Sequence, residues 1–506
     1  MKIYSAIYIG TYEITLKVFQ ISRDRKPKEI DCQKMHTEIA RDLYHQHRIT
    51  AETAEKLYET LARMKETIAM YRSDRSSVYA GYTLGQAENI LFVTDQIHQR
   101  TRLKVNILSN SEQRFLSYQA AAAGESFERM TKSALLVDIG GYSLQMTLFR
   151  DGELITTQHI LLGAVNIREY MKSLSQKADY REQISEMISK ELDAFSNMYL
   201  RGEAPEYLIL MNDQIYSFLR QAVHGSDSSV LERKHYLKLI NRLSKENFYH
   251  VLPEGERIED QEEMFSPLLL LLQTVSNKLD FQYVCFPNAS VTDGIIWHEA
   301  LNDRMATIRH DFNKDVLSAA WSIAHRYGSY EPHLQVLCQL GTQIFDTIRK
   351  ISGLTKRDRL LYEVTAILHD CGKYISLAEA GHSSFNIIML SEILGLTHKE
   401  RMMVAYTALF NRNEILPLSE MDPELSEENY LTILKLLAIL RVSNALDRSH
   451  QQKFRDVKMR LNDRKLIIRI EAERSISLEM GLFENHANYF EDVFSVRPVI
   501  REKKTL

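Results

Sequence analysis

Apolar and polar residues alternate from 3 to 22, with β-branched side chains throughout, which predicts a hairpin or two strands. Between 50 and 73 the period becomes helical, and Ala54, Leu57, Leu61 and Met64 share a face. A strand at 77–80, a helix over 84–100 and a strand at 104–108 follow. The last of these runs into Ser109-Asn110-Ser111-Glu112, the pattern of a helix N-terminus, and the helix continues through 118–123. A strand at 134–138 is expected to pair with 143–149, and Asp151-Gly152 to turn that strand into 154–160. From about 305 onward the pattern is mainly helical, with helices over 334–349, 358–369 and 431–445. The end reads as a strand at 466–470, a helix at 483–490 and a strand at 496–501, where Pro498 predicts a sheet edge.

Composition adds little but excludes much. The chain has 506 residues, 44% hydrophobic and 26% charged, with a net charge of -4. That length suits two to four domains, and that charge predicts no general attraction to nucleic acid. Cys32, Cys285, Cys338 and Cys371 form no CxxC and read as reduced thiols of a cytoplasmic protein. Glu13 and Lys17 interrupt the first apolar stretch, so no signal peptide is expected. The apolar run 268–272 is far short of the roughly 20 residues a membrane span needs, so no membrane partner is expected.

The chemistry begins at Leu135-Leu136-Val137-Asp138-Ile139-Gly140-Gly141-Tyr142-Ser143. A buried strand that ends in Asp and two glycines delivers a tight turn whose backbone N–H groups can face a phosphate. A second copy of the shape is Ser5-Ala6-Ile7-Tyr8-Ile9-Gly10-Thr11, with Tyr8 at the Asp position. The duplicated unit resembles the actin-like ATPase fold. With Val78 to Asn89, Asn106 to Tyr118 and Leu162-Gly163-Ala164-Val165, the ordered set resembles the exopolyphosphatase/guanosine pentaphosphate phosphohydrolase (Ppx/GppA) family. His333, His369-Asp370-Cys371-Gly372-Lys373 and Asn444-Ala445-Leu446-Asp447-Arg448-Ser449 resemble the HD-type helical domain of its longer members.

The resemblance implies an α/β plus α architecture. Two actin-like (ribonuclease H-like) α/β subdomains, 1–126 and 127–302, are followed by a helical HD-type domain, 303–450, and a small α+β domain, 451–506. It implies hydrolysis of the terminal phosphoanhydride of polyphosphate or guanosine pentaphosphate, with a divalent metal (Mg²⁺ or Mn²⁺), and a homodimer. Carried over residue by residue, much of that apparatus is changed. The family's Asp-Leu-Gly-Ser-Asn-Ser is Tyr8-Ile9-Gly10-Thr11-Tyr12-Glu13, so Gly10 and Thr11 remain and Glu13 is a displaced carboxylate. Its Ser-Gly-x-Glu-Glu-Ala is Ser109-Asn110-Ser111-Glu112-Gln113-Arg114. Gln113 stands at the Glu assigned to activating water, and an amide is no general base, which leaves Glu112 or Glu13 as the substitute. Asp-Ile-Gly-Gly-Gly-Ser-Thr-Glu is Asp138-Ile139-Gly140-Gly141-Tyr142-Ser143-Leu144-Gln145, keeping Asp138, Gly140, Gly141 and Ser143 for phosphate. An expected Arg is Asn166, another is Thr292, and a small-residue Gly-Thr loop falls on Met211-Asn212-Asp213-Gln214.

The helical half has kept more. His333, His369, Asp370 and Asp447 match the HD-type metal set in order, and imidazole with carboxylate suits a transition metal or Mg²⁺/Mn²⁺. Lys373 could touch a phosphate. A second metal is not expected, because the His-rich segment is reduced to Gly381-His382-Ser383-Ser384 and Tyr-His-Arg to Phe410-Asn411-Arg412. The same residues also read as a hydrogen-bonded core pair. Three functions therefore stand open. One is residual phosphoanhydride hydrolysis, one is binding or regulation without turnover, and one is an HD-type metal phosphohydrolase.

Overall fold

The first alternating stretch becomes two antiparallel strands, β1 (Lys2–Ile9) and β2 (Glu13–Ile21). They lie in a sheet with β3 (Pro27–His36), β4 (Arg75–Ala80) and β5 (Val105–Ile107), in the order β3-β2-β1-β4-β5. A second sheet holds β6 (Ser133–Ile139), β7 (Leu144–Arg150), β8 (Glu153–Ile160), β9 (Tyr207–Met211), β10 (Val230–Glu232) and β11 (Tyr283–Cys285). Its order is β10-β11-β9-β6-β7-β8, so both sheets place an antiparallel hairpin beside a parallel neighbour. The two hairpins close alike: the Gly10 N–H donates to Glu13 O at 2.9 Å and the Gly140 N–H to Ser143 O at 2.8 Å. The repetition seen in the sequence is thus a repetition of backbone geometry. The two-residue turn into β8 has positive φ at Asp151 (54°) and Gly152 (77°), the twist such hairpins need.

These elements belong to one compact unit, Met1–Asp311, of a computed structural model. The second unit is Phe312–Leu506. The described residues are 1–23, 25–174, 179–211, 230–244, 258–472 and 474–502. Each unit has its own interior.

In the first unit, the helix Ala51–Met70 buries the predicted face, Ala54, Leu57, Leu61 and Met64. The expected helix over 84–100 is two pieces, Tyr82–Gly85 and Ile90–Thr101. The break falls at Asn89, whose side-chain amide is spent on the backbone of Ile49, accepting at 2.9 Å and donating at 2.8 Å. Such local bonding competes with helix continuation. Late in the unit the helix Val291–Asn302 returns to the first sheet, where Val291, Ile295 and Ile296 share a core with Tyr4, Ala6, Phe19 and Leu116. Gly294 makes that return possible, since a Cβ there would lie 2.0 Å from Leu116 O.

The second unit is helical, as its pattern predicts, with Glu331–Ser352, Lys356–Leu368, Ala380–Leu390, His398–Phe410 and Glu427–Leu446 as its main helices. It ends in a sheet ordered β12-β13-β14, from β12 (Phe454–Asn462), β13 (Lys465–Ala472) and β14 (Arg497–Glu502), with the helix Ser477–Phe494 between the last two. Pro498 does sit on an edge strand. All four cysteines are free. No helix among the described residues is long and apolar enough to cross a membrane.

Candidate functional site

The helix Asn110–Ala122 carries the residues expected to activate water, and its own N-terminus consumes the first of them. Ser109 caps the helix, and the Glu112 carboxylate reaches back to the Ser109 N–H (2.8 Å) and hydroxyl (2.7 Å). This reciprocal cap satisfies donors that would otherwise be orphaned. Gln113 turns elsewhere and accepts the Tyr82 N–H at 3.1 Å. Glu13 accepts from the Thr15 hydroxyl at 2.9 Å and pairs with Lys34 at 3.0 Å, along the β2–β3 edge. In the first turn the carbonyls of Thr11 and Tyr12 accept the N–H groups of Ala40 (2.8 Å) and Thr37 (2.9 Å). The Tyr8 ring extends to the end of β4: a Cβ on Gly81 would lie 2.6 Å from its hydroxyl and 3.2 Å from Gln113 Oε1. Gly10, Tyr8 and Gln113 therefore sit in one packed cluster.

The second turn holds a residue that the sequence reading passed over. Arg114, only 4% exposed, runs from the helix into the β6–β7 turn. Its Nε donates to Asn110 Oδ1 (3.1 Å), its Nη1 to Asp138 O (3.1 Å), and its Nη2 to Ser143 O (3.2 Å) and Oγ (2.7 Å). The same Nη1 lies 3.7 Å from the Asp138 carboxylate. Burial pushes the Asp138 carboxyl up from its ordinary value, and the guanidinium pulls against that. The signal in the sequence was a long cation at a position where the resembled family has Ala. Gly140 and Gly141 hold the turn as expected, and their carbonyls accept the N–H groups of Ala164 (3.2 Å) and Val165 (2.7 Å). Asn166 donates to Leu161 O at 3.5 Å. Positions 212–214 lie outside the described residues.

A divalent cation does not fit this turn. Arg114 and a divalent ion would compete for the same oxygens, those of Asp138 and Ser143 that the guanidinium already occupies. Asp138 is the only carboxylate that the two turns retain at the expected places, because Tyr8 has replaced the other.

The second unit gathers a different set. His333 stands in the first turn of the helix Glu331–Ser352, and His369 with Asp370 follows directly after Lys356–Leu368. The ligand atoms of His333, His369 and Asp370 all lie within 4.8 Å of one another, and all three residues are buried. One ion about 2.0–2.2 Å from each donor spans such a set after a small inward shift. The fourth expected residue is placed differently. Asp447 lies behind His333, accepting its Nδ1–H at 2.8 Å, and also accepts the Gln452 N–H (2.9 Å) and Nε2–H (3.1 Å). Burial opposes the Asp447 charge, but these bonds hold its carboxyl below the ordinary range.

The tautomers follow from the partners. The carboxylate and the Ala366 carbonyl can only accept, so His333 Nδ1 and His369 Nδ1 (2.8 Å to Ala366 O) both carry hydrogen. In a neutral ring each Nε2 is then a bare lone pair. Both Nε2 atoms are buried and lack a hydrogen-bond partner among the described residues. Burial also lowers the His369 pKa, which favours the neutral, ligating form of the ring. Two orphaned acceptors beside a carboxylate are what a divalent transition ion requires.

Asp370 is held by Arg412 (2.9 Å) and by Lys373. Burial opposes its charge, yet His369, Lys373 and Arg412 hold its carboxyl well below the carboxylate range. Arg412 thus keeps a place at the site although its two neighbours in the expected motif do not. His450 stacks on His333 with ring centroids 3.6 Å apart, and burial with that neighbour pushes its pKa down to about 4. His382 is exposed and takes no part.

Comparison with known proteins places both units. Residues 320–488 match the model of Ppx/GppA phosphatase, domain III, and residues 18–303 that of the Ppx/GppA phosphatase family. Among curated proteins no relative matches. Among solved structures, an exopolyphosphatase-like protein is 15% identical, covering 60% of this chain and 99% of its own, with a TM-score of 0.50. A Ppx/GppA family member from Aquifex aeolicus (16% identity, 61% and 99% covered, TM-score 0.48) and an exopolyphosphatase from Cytophaga hutchinsonii (15%, 60% and 100%, 0.48) are also similar. At such identities the first of these speaks for the fold alone, and that fold is the actin-like one of the paired sheets. With the family model spanning more than half of its length, the chain belongs to the Ppx/GppA phosphatase family.

Proposed function

We propose that the N-terminal unit has left the family's hydrolytic route and acts as a binding or regulatory module for a phosphate-rich ligand, either polyphosphate or a guanine nucleotide. The observation that carries this reading is the fate of the three side chains nearest to a general base. Glu112 caps its own helix, Gln113 is an amide bound to Tyr82, and Glu13 is paired with Lys34. A water-activating group must reach the proton that it takes, and each of the three is already engaged by a partner of its own. Anion contact is supported by the half-buried Gly141 and exposed Tyr142 at the tip of the second turn, with the positive charge of Arg114 behind them. Within this reading the protein acts in the cytoplasm as a homodimer, as the family resemblance implies.

A second reading has its own observation, the two orphaned Nε2 atoms beside Asp370. It makes the second unit a metal-dependent phosphohydrolase. His333, His369 and Asp370 would hold a divalent ion, which supplies an activated water and a Lewis acid when bound. Asp447 orients His333, and Lys373 and Arg412, each about a third exposed, would bind phosphate oxygens (33% and 34%).

One experiment tests both. Phosphate release from long-chain polyphosphate is measured with Mg²⁺ or Mn²⁺ for wild type, Glu112→Ala and Asp370→Ala. The first reading expects no release from any form, with saturable binding retained. Release lost only in Glu112→Ala would refute it, and release lost only in Asp370→Ala would establish the second reading.

A further inference from the structure

We propose that Arg114 is the built-in cation of the actin-like unit, standing where a divalent ion would otherwise neutralise the second turn, so that this unit binds no metal. The turn's oxygens are already taken. Asp138 O, Ser143 O and Ser143 Oγ accept from the guanidinium, and Gly140 O and Gly141 O accept from Ala164 and Val165. A hard cation such as Mg²⁺ needs about six oxygen ligands, from protein or water, around at least one available carboxylate. Only Asp138 remains, and its carboxylate lies 3.7 Å from the nearly buried guanidinium of Arg114. The opposite turn cannot help, because its Asp position is Tyr8, whose hydroxyl is packed against Gly81. The planar, always-charged guanidinium suits this place, since it serves three acceptors on two sides of the turn at once. A consequence is that metal dependence of the whole chain resides in His333, His369 and Asp370, whereas anion contact at the second turn is indifferent to chelators.

Mn²⁺ binding to the full chain, followed by the loss of the free-ion electron paramagnetic resonance signal, tests this. In His369→Ala/Asp370→Ala, which removes the second unit's donors, no site sensitive to Asp138→Asn is expected. Adding Arg114→Ala to that background should open one Mn²⁺ site that Asp138→Asn closes, while Arg114→Lys, which keeps the charge, should open none. Saturable binding in the double variant that Asp138→Asn abolishes would overturn the inference. So would the failure of a folded Arg114→Ala chain, verified by circular dichroism, to acquire the new site. Because the double variant retains Arg114, its result stands even if Arg114→Ala does not fold.

Discussion

Replacing Asp447 by Asn separates a metal ligand from a residue that orients one. The wild-type carboxylate accepts three hydrogen bonds, from the Gln452 N–H on Oδ1 and from His333 Nδ1–H and Gln452 Nε2–H on Oδ2. Asn offers one accepting oxygen and one NH₂. The Gln452 backbone donor cannot change its character, so the amide oxygen goes to it and the NH₂ faces His333. Gln452 can flip its amide, and His333 can move its proton to Nε2 and accept through Nδ1. Every bond is then made, but the lone pair that faced Asp370 is gone. Metal binding must reverse that tautomer and break a buried hydrogen bond, at a cost of about 1–3 kcal/mol. That corresponds to roughly 5- to 150-fold in affinity, in line with the 10- to 100-fold typical of outer-shell changes around a metal.

Asp447→Asn should therefore weaken Mn²⁺ or Co²⁺ binding by one to two orders of magnitude and change the stability of the metal-free protein by less than about 1 kcal/mol. Asp370→Asn, which alters a donor itself, should weaken binding further. Calorimetric titration of the ion gives the affinities, urea unfolding gives the stability, and nitrogen-15 chemical shifts of the His333 ring report its tautomer directly. The reasoning fails if Asp447→Asn costs as much affinity as Asp370→Asn, for then Asp447 is a ligand. It fails equally if the His333 ring keeps its proton on Nδ1.

Three other perturbations have readouts of their own. Glu112→Ala should lower stability by about 0.5–1.5 kcal/mol through loss of the carboxylate's half of the capping box, measured by urea unfolding. A lost turnover at unchanged stability would instead make Glu112 catalytic. Gly163→Ala would place a Cβ 2.2 Å from Gly141 O and 2.3 Å from Ser143 N, both backbone, so it should displace the second turn and cost at least about 1–3 kcal/mol in a thermal melt. Glu400 is gripped by Arg357 through Nε (2.6 Å) and Nη2 (2.7 Å), and although burial opposes its charge, these bonds hold its carboxyl below the ordinary value. Its folded pKa is depressed, so its contribution to stability is present above the unfolded value of about 4.3 and is lost as pH falls through the folded one. Glu400→Gln should accordingly flatten the acid limb of the stability curve.

What the chain spells out locally was readable, and what depends on distant partners was not. The duplicated hairpins, the Asp151-Gly152 turn and the Ser109 cap are decided within a few residues and were read correctly. β12 was also written locally, with Val457, Met459 and Leu461 alternating with the exposed Asp456, Lys458 and Arg460, and was missed because the charges mask the period. β3 was missed too, since all of its residues are half-buried or exposed. Arg114 is different in kind. Its role is set by partners 24 and 29 residues away, and no pattern within its own helix announces them. Likewise the order His333, His369, Asp370, Asp447 pointed to a metal, yet only the hydrogen bond from His333 shows that Asp447 stands behind the donors.

The persistence of glycines where charges have been lost has a packing explanation. Gly163 is pressed against the backbone of the second turn, and Gly294 lets one helix cross Leu116 O at a distance that admits no side chain. Gly10 closes its hairpin through its own N–H, and a Cβ on it would lie 2.7 Å from Glu13 O. Each is required by the fold whether or not a phosphate is ever bound. Tyr8, Gln113 and Arg114 stand at positions where the fold asks only that a side chain find partners, and each has found them inside the protein: Tyr8 against Gly81, Gln113 at the Tyr82 N–H, Arg114 across the turn. The glycine pattern in this chain therefore reports the architecture and carries no information on turnover. The replaced charges bear on the chemistry of the turns, and the second unit holds two buried ring nitrogens, His333 Nε2 and His369 Nε2, that lack a hydrogen-bond partner among the described residues and lie beside Asp370.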